Sequence, residues 1–116
     1  KLIQKSGGFS AVQNNLEQYS FSDNIVHFTL LEATLYNGEK INLTKKEAML
    51  LKLLMENKNT IITRERILQS VWGYNVFPNT RTIDNFILNF RKYFELDPKL
   101  PLHFISIRGV GYKFQD

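Results

Sequence analysis

The sequence of 116 residues has no cysteine, three prolines, six glycines and two histidines. The absence of cysteine excludes disulfides and thiolate metal sites and is typical of a reducing compartment. No apolar run reaches the roughly 18 residues that a membrane-spanning helix needs, and the polar first residues contain no apolar signal core. We therefore expect a cytoplasmic protein without membrane contact.

Groups suited to catalysis are also scarce. His27 and His103 are far apart in the sequence, and neither has a nucleophile or a carboxylate pair at a suggestive spacing. The sequence contains no phosphate-binding glycine loop. We predict that the protein is not an enzyme and uses no metal or cofactor.

The residues that are present suit one domain with a modest core. Hydrophobic residues make up 43% of the chain and aromatic residues 13%. The net charge of +4 fits an anionic partner, although many ordinary domains are as basic.

The first half of the chain predicts a linker and then a sheet. Residues 1–22 are polar and include a glycine pair, which is typical of a linker. The next residues alternate between apolar and polar around Asn37-Gly38, a strong signal for a tight hairpin turn. The three predicted antiparallel strands lie near residues 25–28, 30–36 and 39–43.

Three later segments repeat apolar residues at helical spacing. Thr44 and Glu47 form a capping box before the first, and Thr63 is the N-cap of the second, which ends at Gly73. The third follows Pro78. The predicted helices run from Thr44 to about Glu56, from Thr63 to about Val71, and over about 80–95.

The third helix has two unlike faces. An apolar stripe at i, i+4, i+7 and i+11 must be buried, and it consists of Ile83, Ile87, Phe90 and Phe94. Another side carries Arg81, Asn85, Leu88, Asn89 and Lys92. Asparagine is a poor helix former, but its amide can bind adenine bidentately in the major groove. Two asparagines on one stripe favour this interpretation over tolerated surface residues.

The segment HFISIRGVGYKF alternates again and predicts a second hairpin. We expect Gly109 and Gly111 to supply the backbone freedom of its turn. Tyr112 and Phe114 are predicted to pack inward, which leaves Arg108 at the tip.

Four segments resemble the DNA-binding output domain of two-component response regulators of the OmpR/PhoB family: LTKKEAMLLKLL, ITRERILQSVWG, TRTIDNFILNFRKYFE and ISIRGVGYKF. The resemblance covers residues 25–115. It implies an α+β fold, a winged helix-turn-helix with an N-terminal four-stranded antiparallel sheet, three helices and a C-terminal β-hairpin wing. It also implies that residues 1–22 tether residues 23–116 to a phosphorylatable receiver domain outside this chain.

The same resemblance implies a recognition helix over about 80–95 in the major groove of double-stranded DNA and a wing over 107–112 at the minor groove. The predicted base contacts are Asn85, Leu88 and Asn89. The predicted phosphate contacts are Arg81, Thr82, Arg91, Lys92, Arg64 and Arg66. The predicted wing contacts are Ser106 and Arg108. The residues that resemble the family's polymerase-contacting loop are Tyr74, Asn75, Val76 and Phe77.

Several alternatives stay open. Arg91 can instead form a salt bridge to Glu95 or Asp84, and Arg108 can be a solvated turn residue. Asp84 is assigned to structure, because DNA would repel its charge. Trp72 is interpreted as a core residue.

The recognition helix departs from the family's usual residues, which are histidine at the place of Phe86 and arginines at the places of Leu88 and Asn89. The target sequence therefore cannot be borrowed from a relative. By resemblance, two copies bind tandem half-sites, and RNA polymerase is a further partner. The rival hypothesis is a winged helix that binds protein and not DNA, through Leu88, Phe86 and Phe77.

Overall fold

The computed structural model describes residues 17–73 and 80–116. Within them, a four-stranded antiparallel sheet is followed by three helices and a hairpin. The strands are β1 Gln18–Phe21, β2 Asn24–His27, β3 Glu32–Thr34, β4 Lys40–Asn42, β5 Ile62–Thr63, β6 Phe104–Ile107 and β7 Gly111–Phe114. The helices are α1 Lys45–Glu56, α2 Arg64–Ile67, which continues as a π-helical turn over Leu68–Trp72, and α3 Thr80–Phe94. This is the predicted α+β winged helix.

The N-terminal sheet begins before the predicted domain start at residue 23. Strand β1 lies within residues 1–22 and pairs with β2, so that Tyr19 is opposite Val26 and Phe21 is opposite Asn24. Phe21 is buried, but only Tyr19 and Phe21 mark the strand in a polar stretch, which is too short an alternation to identify it. The tether to a receiver domain stays a prediction.

The hairpin between β3 and β4 forms at Asn37-Gly38, as predicted. Gly38 has φ 89°, and Asn37 Oδ1 accepts a hydrogen bond from the Glu39 amide at 2.9 Å. Strand β3 is shorter than the predicted 30–36 because Leu31 has φ 54°, which breaks the extended backbone before Glu32.

The predicted caps start both of the first two helices. Thr44 and Glu47 exchange hydrogen bonds in a capping box, at 3.1 Å and 2.8 Å. Thr63 Oγ1 accepts from the Arg66 amide at 3.1 Å. The second helix ends at Gly73, where φ is 91°. No helix among the described residues is long and apolar enough to cross a membrane.

The core lies where α3 meets both sheets. The predicted apolar stripe of α3 is confirmed, since its members expose at most 1% of their surface: Ile83, Ile87, Phe90 and Phe94. The Phe21 ring of the first sheet lies 5.5 Å from that of Phe94 and 5.1 Å from that of Phe114 in β7. This packing anchors α3 through its apolar stripe.

The C-terminal sheet has the order β5-β7-β6. Gly109 has φ 77° and supplies the turn, as predicted, but Gly111 lies inside β7. A Cβ at Gly111 would lie 2.0 Å from the Ile62 carbonyl oxygen. Gly111 is therefore required by the close approach of two strands and not by the turn, which corrects the sequence analysis.

Candidate nucleic-acid interface

The side of α3 opposite its buried stripe is open. Arg81, Asn85 and Lys92 are exposed, Leu88 exposes 51% of its surface, and Asn89 is half-buried. The predicted base-contacting residues therefore share one accessible face, which two amides, one apolar side chain and two cations line.

Phe86 lies at the border of this face and belongs partly to the core. Its ring is 5.3 Å from that of Trp72 and 6.4 Å from that of Phe90. Trp72 is half-buried and packs against the core, in agreement with the sequence-based interpretation. Of the rival protein-binding patch, Leu88 alone is well exposed among the described residues, since Phe77 lies outside them.

The tip of the wing carries Arg108, which is exposed together with Gly109 and Val110. Ser106 in β6 is also exposed, and its Oγ accepts a hydrogen bond from Arg91 Nη2 at 2.9 Å. The two predicted wing residues, Ser106 and Arg108, thus differ in their surroundings, because the Ser106 hydroxyl already has a hydrogen-bond partner within the protein.

Arg91 joins α3 to the wing. Its Nε and Nη2 donate to the Phe104 carbonyl oxygen at 3.0 Å and 2.8 Å, and Nη2 also reaches Ser106. The alternative of a salt bridge is not what the structure has: Glu95 binds backbone amides and Asp84 pairs with Arg64. A contact between Arg91 and phosphate stays a prediction.

Asp84 connects α3 to α2 and to the wing. The Tyr112 hydroxyl donates to Asp84 Oδ1, and Arg64 Nη2 lies 3.5 Å from the same oxygen. Arg64 also covers the Tyr112 ring, with Cζ 5.0 Å from its centroid. Burial, and then the hydrogen bond to Asp84 and its charge, raise the pKa of Tyr112, while Arg64 acts in the opposite direction. The structural role predicted for Asp84 agrees with these contacts.

The remaining predicted phosphate contacts are spread over two helix starts. Arg66 is exposed on α2, and Thr82 is half-buried near the first turn of α3. Arg64 is partly occupied by Asp84 and Tyr112. The residues of the predicted polymerase-contacting loop lie outside the described residues: Tyr74, Asn75, Val76 and Phe77.

Glu95 was expected only as an alternative partner of Arg91, but it holds the segment between α3 and the C-terminal hairpin. Its carboxylate is buried, with 2% exposure, and accepts hydrogen bonds from three backbone amides, those of Leu102, His103 and Phe104, at 2.8–3.0 Å. A carboxylate directly after an apolar helix end was the one available signal.

Asn24 was also missed. It is fully buried in β2, donates from Nδ2 to the Phe94 carbonyl oxygen at 3.1 Å, and accepts at Oδ1 from the Tyr36 amide at 2.9 Å. Asn24 therefore bonds the first sheet to the last residue of α3.

Comparison with known proteins gives the family. Residues 38–114 match the family described as transcriptional regulatory protein, C terminal. The transcriptional regulatory protein VxrB of Vibrio cholerae is 46% identical over 81 residues, which are 69% of this chain and 31% of that protein. The chain thus spans about a third of the length of the relatives that it matches.

Solved structures agree with this match. The response regulator DrrB, an OmpR/PhoB homologue of Thermotoga maritima, has a TM-score of 0.74 and 34% identity, over 86% of this chain and 45% of that chain. The DNA-binding domain of CpxR from E. coli has a TM-score of 0.68 and 26% identity, over 85% of this chain and 96% of that chain. A match to transcriptional regulators agrees with the prediction that the chain is not an enzyme. The chain therefore belongs to the family of C-terminal domains of transcriptional regulatory proteins, and its fold is the winged helix of the OmpR/PhoB type.

Proposed function

We propose that this domain binds a specific sequence of double-stranded DNA and is the output domain of a cytoplasmic two-component response regulator. The observation that carries the proposal is the division of α3 into a fully buried apolar stripe and an open face with two asparagines and two cations. An exposed helix face of this kind, beside a β-ribbon, fits the major groove with the ribbon at the minor groove.

Base recognition is assigned to the middle of α3. Asn85 and Asn89 each carry a side-chain amide that can form a bidentate pair with adenine. The NH2 group donates to N7, and the oxygen accepts from the N6 amino group. Leu88, exposed between them, suits the methyl group of thymine. The half-buried position of Asn89 restricts its rotamers, which lowers the entropy that binding would cost.

Phosphate attraction is assigned to the edges of the helix and to α2. Arg81 and Thr82 lie in the first turn of α3, where the backbone amides and the positive end of the helix dipole favour an anion. Lys92, Arg66 and Arg91 add charge around this centre. Arg108 at the tip of the wing suits the negative potential of a narrow minor groove, with Ser106 behind it.

Three further partners are proposed from the resemblance to OmpR/PhoB regulators. Two copies would occupy tandem half-sites, RNA polymerase would contact the loop of residues 74–77, and a receiver domain in a longer protein would raise occupancy when it dimerises. Each belongs to the proposal and depends on DNA binding.

The test is a salt titration on duplexes selected from a random pool. DNA binding that neutralises several phosphates weakens steeply as salt rises, whereas an apolar protein contact through Leu88 does not. Selection also gives the half-site and its spacing. Failure to enrich any sequence, together with binding that is independent of salt, would exclude the proposal and favour the protein-binding alternative.

A further inference from the structure

Three side chains from separate elements meet beside the first half of α3, and their arrangement has a consequence for DNA binding. Arg64 comes from the start of α2, Asp84 from α3 and Tyr112 from β7. The side chains of Arg64 and Asp84 are 30% and 42% exposed, so both ions lie at the surface that would approach DNA.

Arg64 is held from two sides. Its Nη2 lies 3.5 Å from Asp84 Oδ1 and donates to the Tyr112 hydroxyl at 3.4 Å, and its guanidinium covers the Tyr112 ring. Tyr112 in turn donates its hydroxyl to Asp84. One phenol therefore positions both members of the ion pair.

A carboxylate and a phosphate offer a guanidinium the same kind of oxygen acceptor. A phosphate that approached Arg64 would have to displace the Asp84 carboxylate or lie close to it against electrostatic repulsion. We propose that Asp84 is the internal counter-ion of Arg64, takes the place of a DNA phosphate there, and thereby limits binding to unrelated DNA. This inference rests on the proposed function.

Phosphate contacts do not depend on base sequence, so they raise the affinity for unrelated DNA together with the affinity for the selected site. An arginine that is neutralised within the protein adds little to either affinity. Asp84 is thus a positioning residue that acts through Arg64 and lowers the sequence-independent part of the affinity for DNA.

The test combines two variants with a selected duplex and a duplex of scrambled sequence. Asp84→Asn keeps the size of the side chain and an oxygen for the Tyr112 hydroxyl but removes the charge. Binding to the scrambled duplex should strengthen, and its salt slope should become steeper by about one unit. Binding to the selected duplex should strengthen by a similar factor, because a phosphate contact does not depend on base sequence. Arg64→Gln in the parent should change the slope by much less than one unit, and in the Asp84→Asn background it should abolish the gain.

Two results would overturn the inference. If Asp84→Asn still strengthens binding when Arg64 is glutamine, Asp84 acts by direct repulsion of DNA. If Arg64→Gln alone reduces the slope by about one unit, Arg64 already binds a phosphate in the parent. The salt slope of the Arg64→Gln variant tests the inference even if the Asp84→Asn variant does not fold. Failure of the proposed function would appear in the parent, whose own titration would then show no salt-dependent binding to DNA.

Discussion

Arg91 of α3 donates two hydrogen bonds to the carbonyl oxygen of Phe104, from Nε at 3.0 Å and from Nη2 at 2.8 Å. The guanidinium thus connects α3 to β6, the first strand of the C-terminal hairpin. Only a planar fork of donors can make this pair of bonds, so the contact depends on arginine and not on positive charge alone.

Replacement Arg91→Lys keeps the charge and removes the fork. We expect it to lower the free energy of unfolding by roughly 1–3 kcal/mol, because the Phe104 carbonyl oxygen loses hydrogen bonds from a charged donor. The salt slope of DNA binding should not change, since the charge remains. Thermal unfolding and salt titration measure the two effects, with Lys92→Arg at the exposed neighbouring position as the control. A variant as stable as the parent would contradict this role of Arg91.

Glu95→Gln should destabilise the domain. The two carboxylate oxygens accept from three amides, whereas glutamine has one oxygen and an NH2 group that cannot accept. An unpaired buried amide costs about 1–3 kcal/mol, which denaturant unfolding can measure. Glu56→Gln, at an exposed position of α1, is the matched control and should leave stability near that of the parent.

Arg81→Ala should weaken binding to the selected duplex and to an unrelated duplex alike. Loss of one phosphate contact lowers the salt slope by about one unit. Lys40→Ala removes a charge from β4 in the first sheet and serves as the control, with little change in slope expected. If both variants keep the slope of the parent, Arg81 is not on a phosphate.

Arg108→Ala should leave the melting temperature nearly unchanged, because an exposed turn tip carries little packing. Affinity should fall most for sites with an A·T-rich flank, where the minor groove is narrow and more negative. The measurement compares two selected duplexes that differ only in the flank. An equal loss of affinity on A·T-rich and G·C-rich flanks would show that Arg108 does not contact a narrow minor groove.

Asn89→Ala tests base recognition. Loss of a bidentate pair with adenine should cost about 1–3 kcal/mol on the selected duplex and almost nothing on unrelated DNA. Alanine should also stabilise α3 by up to about 0.7 kcal/mol through its helix propensity. Stability and specific affinity would then change in opposite directions. The opposite result is a variant that binds the selected duplex, and a duplex with its adenines replaced, as the parent does. That result would show that Asn89 does not contact a base and would assign base recognition to Asn85 and the wing.

The parts of the fold that depend on local patterns were predicted from the sequence. The spacing of Ile83, Ile87 and Phe90 identified the buried face of α3, and Thr44 with Glu47 identified the start of α1. Each pattern lies within one element, where helical geometry relates spacing directly to position. The open face of α3 followed from its buried face by elimination.

Contacts between elements could not be predicted in the same way. Asn24 and Phe94 are 70 positions apart, and Arg91 and Phe104 are 13 apart across a loop. No periodic pattern encodes such pairs, because they depend on how the elements pack. Strand β1 was missed for a different reason, since its four residues contain too few apolar positions for an alternation to be recognised.

The hydrogen bond from Asn24 to the Phe94 carbonyl oxygen joins the first sheet to the last residue of α3. Asn24 is fully buried, so relative movement of the two elements would break the hydrogen bond between its side chain and the Phe94 carbonyl oxygen, at a cost of about 1–3 kcal/mol. A domain attached ahead of β1 would therefore move the first sheet and α3 together. We expect such a domain to set the position and spacing of two copies of this winged helix on DNA. The structure of each copy should stay the same.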